Sequence, residues 1–283
     1  MGAYPSVVDP SIEPAGFVVA SDTGDRLHFL DWGGDGRPGI LLVHGLSNTA
    51  WSWSPVTRRL AAARRVVAMD LRGHGLSDAP TGRYEPELLA SDGVAVAEGS
   101  GALGAGGVVL AGHGFGGIVA AWAAAAIGER CSRLVLVDGG WEDIRATSGM
   151  EPDEFLRGLD EPPEVLRSMA AFLAERAGFD PATWDADQET AVRATVVETP
   201  AGRVVPATRP HALAACVDAM FEYRPAEVLA AVRAPIVALA ATSPPPDPGL
   251  PRMDLLVLPA VGHNLMRYRP DDVTDAILGA APR

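Results

Sequence analysis

Gly112-His113-Gly114-Phe115-Gly116-Gly117 joins two stretches of opposite character. Before it, residues 107–111 form a short apolar run, expected as a buried strand of a parallel sheet. After it, residues 116–129 are alanine-rich and apolar nearly all round, expected as a deeply buried helix. So sharp a passage from strand to helix needs glycine at 112 and 116, where side chains would collide with the neighbouring strand and helix. The new helix points its first N–H groups back at the turn.

The same alternation extends in both directions and predicts an α/β fold with a mostly parallel sheet flanked by helices. Strands are expected at residues 17–20 and 27–32, joined by a turn around Thr23-Gly24-Asp25, and at 39–43, 65–69 and 134–137. Helices are expected at 47–63, with Ser47 or Asn48 as cap, and at 86–98. Strand signals resume at 236–241 and 255–258, and residues 270–278 form a closing helix. Between the two blocks the character changes. Residues 141–224 hold 16 acidic and 8 basic side chains, with helical stretches at 153–159, 163–177, 191–197 and 211–221 and no run of strands. The expected organisation is therefore a core of residues 1–140 and 225–283 with a helical insertion at 141–224 lying over the sheet.

Composition narrows the function. The 283 residues are 48% apolar and 21% charged, which excludes a disordered chain, a collagen and a coiled coil. All 23 basic residues are arginine, so lysine chemistry, whether Schiff base, P-loop or general base, is excluded. A formal net charge of −13 disfavours nucleic acid as a partner. Two cysteines, Cys131 and Cys216, permit neither a disulfide framework nor a cysteine-ligated zinc site. The N-terminal MGAYPSVVDPSIEP has no signal-peptide pattern, and the near-apolar run 116–127 is too short to cross a bilayer. The expectation is a cytoplasmic protein that acts on a small molecule, away from membranes.

Four motifs then stand in a meaningful order. His44-Gly45 follows one strand, Asp70-Leu71-Arg72-Gly73-His74-Gly75-Leu76-Ser77 the next, the glycine-rich turn a third, and Gly262-His263-Asn264 the last. Together they resemble the α/β-hydrolase superfamily over nearly the whole chain, and the insertion resembles its helical cap. The resemblance implies a base at His263 and an oxyanion hole made by the backbone N–H groups of Leu46 and Phe115. It implies a small-molecule site roofed by the cap, with His44 shaping its loop on the pocket floor and Trp141 lining the site; the histidines lack metal-ligand spacing and no dinucleotide motif follows a strand, so no cofactor or metal is expected. For the acid that orients His263 it leaves two candidates, Asp138 after the 134–137 strand and Asp247 in a proline-rich loop.

One position departs from the family. The middle of G-x-S-x-G, where the nucleophile stands, is Gly114. No acyl-enzyme can form there. Three readings follow. The chain is an enzyme in which the histidine serves as general acid or base for hydrolysis, elimination or C–C cleavage of a medium-sized apolar carbonyl, ester or lactone. It is a nucleophile-less form, introduced or drifted, of a serine carboxylic-ester hydrolase. Or it is a non-enzymatic small-molecule binder. Ser47 is expected as a helix cap, Asp70 and Ser77 as structural, and His113 as packed on the sheet.

Overall fold

The computed structural model describes residues 12–159, 168–241, 253–258 and 262–280. Its core strands are β1 (Ala15–Ala20), β2 (Arg26–Gly33), β3 (Gly39–Val43), β4 (Val66–Met69), β5 (Val108–His113) and β6 (Cys131–Val137). Helices α1 (Ser54–Leu60), α2 (Pro86–Gly99) and α3 (Phe115–Ile127) alternate with them. Residues 141–224 contribute α4 (Ile144–Ser148), α5 (Pro152–Leu159), α6 (Met169–Phe179), α7 (Ala186–Ala194), the hairpin β7 (Val196–Glu198) and β8 (Val204–Pro206), and α8 (Pro210–Glu222). The chain then returns through α9 (Pro225–Ala231), β9 (Ile236–Ala240), β10 (Met253–Val257), α10 (Leu265–Tyr268) and α11 (Pro270–Leu278).

Eight strands form one sheet in the order β1-β2-β4-β3-β5-β6-β9-β10. The β1–β2 and β2–β4 pairs are antiparallel and the rest are parallel. Residues alternate between two cores because side chains alternate along a strand. Leu41 and Val43 of β3 pack with α2 and α3, through Val96 and Ile118. Ile40 and Leu42 pack on the opposite face with α1 and α11, through Val56 and Ile277. Covering both faces of the parallel strands leaves their carboxyl ends as the place where loops of different origin meet.

Three expectations change in detail. The helix expected at 47–63 is a 3-10 turn at Ala50–Trp53 followed by α1, and its cap residue is Thr49, without a side-chain capping bond. Ser47 takes φ +57°, which is left-handed backbone, and the Asn48 carboxamide accepts from the Thr49 N–H, so neither caps the helix. The helix expected at 191–197 starts earlier, at Ala186, and is capped by Asp185, whose carboxylate accepts from the Gln188 N–H. It gives way at Val196 to the β7–β8 hairpin, which the all-helical expectation for the insertion missed. No helix among the described residues is long and apolar enough to cross a membrane.

Candidate active site at the carboxyl edge of the sheet

β5 passes into α3 through one residue, Gly114, at φ 53° and ψ −121°. A Cβ on Gly112 would stand 2.0 Å from the Gly116 carbonyl oxygen, so the turn closes only with glycine there. The Gly114 N–H donates to the Val137 carbonyl at 3.0 Å, which ties the turn to the end of β6.

Asp138 follows that strand end directly. Its N–H donates to the Leu239 carbonyl at 2.7 Å, and its backbone sits at φ +46°. One carboxylate oxygen accepts from the Ala241 N–H at 2.7 Å, and the other meets His263 Nδ1 at 2.5 Å. Burial pushes the Asp138 carboxyl up, but the hydrogen bonds from His263 and the Ala241 N–H outweigh it, and the group is held below the usual carboxylate range. With Nδ1–H donating to Asp138, the other ring nitrogen of His263 has no hydrogen-bond partner among the described residues. A Cβ on Gly114 would stand 3.4 Å from that Nε2. The His263 side chain is 64% exposed and Asp138 13%. Asp247 lies outside the described residues.

His113 does more than pack on the sheet. Its Nε2–H donates to the His263 carbonyl at 3.0 Å, and the two rings lie 4.4 Å apart. Burial first, and the neighbouring His263 second, push its pKa down to about 3, so His113 stays neutral and keeps donating.

On the other side of Gly114 runs the His44–Ser47 loop. The Leu46 and Phe115 N–H groups have no acceptor among the described residues. His44, expected to line the substrate site, is fully buried. Its Nδ1–H donates to the Gly45 carbonyl at 2.7 Å, and its Nε2 accepts from the Leu71 N–H at 3.0 Å. Both nitrogens are therefore spent on backbone, and the ring shapes the loop instead of offering a polar atom to a ligand. Asp70 braces the same loop. Its carboxylate accepts from the Ala50 N–H at 2.7 Å, the Leu76 N–H at 3.0 Å and His28 Nδ1 at 2.8 Å. Trp141, the other expected lining residue, is 4% exposed, packs in the α2–α3 core, and has a buried ring N–H with no acceptor among the described residues.

Three features had no sequence signal. Glu142 is a half-buried carboxyl pushed up by burial and by the nearby Asp138 charge. A cavity of about 760 Å³ is lined by Val19, Val94, Trp122 and Val228 between β1, α2, α3 and α9, away from His263. A smaller one, about 220 Å³, lies between residues 82–85 and α8, lined by Tyr84, Ala215 and Ala219. Among the described residues, no group of three or more His, Cys, Asp or Glu side chains converges as a metal site.

This geometry can be set beside known proteins. The sequence profile of the alpha/beta hydrolase family matches residues 40–276. The chain belongs to the alpha/beta hydrolase family. Epoxide hydrolase 4 of Mus musculus is 35% identical over 132 residues, 46% of this chain and 36% of that protein. The non-heme chloroperoxidase of Streptomyces lividans is 36% identical over 168 residues, 58% of this chain and 56% of that one. The matched region thus spans between about a third and just over half of these relatives. Among solved structures, E-2-(acetamidomethylene)succinate hydrolase superposes with a TM-score of 0.76 at 20% identity, covering 94% of this chain and 98% of that one. A thioesterase domain from the curacin biosynthetic pathway gives 0.71 at 19% identity, covering 95% and 100%. At such identities the likeness is one of fold.

Proposed function

We propose that this alpha/beta hydrolase cleaves a medium-sized, largely apolar carbonyl compound, an ester or lactone, by direct attack of water. One observation carries the reading: Nε2 of His263 faces the place where a side chain on Gly114 would begin, at 3.4 Å, and no side chain stands there. Water in that space gives a proton to Nε2 while its oxygen attacks the carbonyl carbon. The carbonyl oxygen becomes an oxyanion beside the Leu46 and Phe115 N–H groups. Collapse breaks the bond to the leaving oxygen, which takes the proton back from His263. An acid and an alcohol leave, and the histidine is neutral again. Asp138 holds the ring and balances the charge on the imidazolium. The exposure of the His263 ring favours water as the reactant over a proton abstraction that needs water excluded. In this reading residues 141–224 act as the cap.

A second reading is a serine carboxylic-ester hydrolase that has lost its nucleophile. It is favoured by the backbone at Gly114, which keeps φ 53° and ψ −121° although no side chain requires it. The two readings separate by assay of the wild type, His263→Ala and Gly114→Ser on a panel of p-nitrophenyl esters and lactones. Turnover in the wild type that disappears in His263→Ala supports water attack. Turnover only in Gly114→Ser supports the lost nucleophile.

A further inference from the structure

One contact between residues 141–224 and the core falls on the helix that follows His263. Asp180 lies between α6 and the 3-10 turn Pro181–Thr183. Its carbonyl accepts from Arg267 Nη2 at 3.0 Å, and its carboxylate lies 3.9 Å from the same nitrogen. The carboxylate also accepts from the Thr183 hydroxyl at 2.8 Å.

Arg267 and Tyr268 end α10, which begins two residues after His263. The Leu265 N–H donates to the His263 carbonyl at 3.0 Å. The Arg267 and Tyr268 N–H groups donate to the Asn264 carbonyl at 3.0 and 3.2 Å. The Tyr268 ring also folds back on the loop, since a Cβ on Gly262 would stand 3.0 Å from its Cε2. The Arg267 guanidinium covers the face of that ring at 5.5 Å. The result is one stiff turn with His263 at one end and Asp180 held at the other.

We propose that Asp180 is a positioning residue: the insertion grips α10 through it and so fixes the His263 loop against the space at Gly114. The catalytic consequence rests on His263 acting as the base; the mechanical link does not. The insertion has a second tether to the core that serves as a control. There Arg58 Nε and Nη2 donate to Asp187 at 3.2 and 3.0 Å, linking α1 to α7. A link through Asp180 moves His263 when broken, whereas a general loosening of the insertion follows from breaking either tether.

The test uses Arg267→Ala, which removes both the bond to the Asp180 carbonyl and the ion pair, Asp180→Ala, which removes the ion pair alone, and Asp187→Ala, in the full chain, without ligand. It reads the His263 imidazole C–H signals by NMR and amide exchange along residues 262–268. Arg267→Ala is expected to shift or broaden the His263 signals and to raise exchange in 262–268 by about ten-fold, and Asp180→Ala to move them in the same direction by less. The Asp180→Ala/Arg267→Ala double variant is expected to go no further than Arg267→Ala, because both changes act on one contact. Asp187→Ala is expected to leave these signals in place. On a turned-over ester, Asp180→Ala is expected to lower kcat more than it raises KM. Unmoved His263 signals in Asp180→Ala, or equal movement in Asp187→Ala, overturn the proposal. A wild type without turnover overturns the base reading alone, since the NMR arm still decides the role of Asp180.

Discussion

Nε2 of His263 stands 3.4 Å from the point that a Cβ on Gly114 would occupy. That separation is ordinary van der Waals contact, so a serine fits, and its hydroxyl falls within hydrogen-bond reach of the imidazole. The backbone at φ 53° is costly for any residue but glycine, about 1–3 kcal/mol. Gly114→Ser is therefore expected to lose about that much stability in denaturant titrations and to gain a stoichiometric fluorophosphonate adduct by intact mass. The wild type is expected to stay unmodified. An adduct on the wild type, above all on Ser47, would mean that another serine has taken the role.

Asp138→Asn leaves the loop in place but exchanges the acceptor that fixes the His263 ring. Turnover is expected to fall by about 10²–10⁴-fold, with KM changing little. Activity within a factor of about three of wild type would remove Asp138 from the mechanism.

Asp70 and Asp138 govern the acid limit of the fold. Burial pushes Asp70 up, but His28, His44 and the Ala50 and Leu76 N–H groups outweigh it, and its pKa is lowered, as is that of Asp138. A carboxyl with a lowered folded pKa stabilises the protein above its unfolded pKa of about 3.9, and that stability drains away as pH falls through the folded value. Asp70→Asn turns an NH₂ toward a backbone N–H and is expected to cost about 1–3 kcal/mol at pH 7. Unfolding free energies measured at pH 7 and pH 3.5 are expected to differ less in Asp70→Asn than in the wild type. An equal or steeper loss in the variant contradicts this role.

The two thiols are expected to be inert. Burial pushes Cys131 up to about 11 and Cys216 up to about 12, so almost no thiolate exists at pH 8. Ellman's reagent is expected to find no reactive thiol in the native protein and two after unfolding. Rapid reaction of either in the native state refutes that burial.

The core was legible because its signals are steric and local. Gly112 and Gly116 are demanded by a backbone collision, and the runs 39–43 and 107–111 are too apolar to sit anywhere but inside. The histidine loop after the last strand is readable in Gly262-His263-Asn264, and the structure brings it to Asp138, one of the two acids the sequence offers. Direction of side chains was not legible. His44 stands beside the oxyanion loop in sequence, yet both its nitrogens turn to backbone, because the Leu71 N–H arrives from the loop after β4, 27 residues away. The β7–β8 hairpin was hidden by its brevity: Val196 and Val197 continue a helical pattern, and only the turn, where Thr199 N–H donates to Arg203 O at 2.7 Å, breaks it. Asp180 carries no motif at all, since its contact with Arg267 joins residues 87 apart in the chain.

The central claim is that His263 activates water and that no covalent intermediate forms on the protein. Pre-steady-state hydrolysis of a p-nitrophenyl ester, quenched on the millisecond scale and read by intact mass beside His263→Ala, tests it most directly. The account predicts linear product release in the wild type without a burst, an unmodified protein mass at every time point, and no turnover in His263→Ala. A burst equal to the enzyme concentration with a transient acyl adduct, or undiminished turnover in His263→Ala, would contradict it.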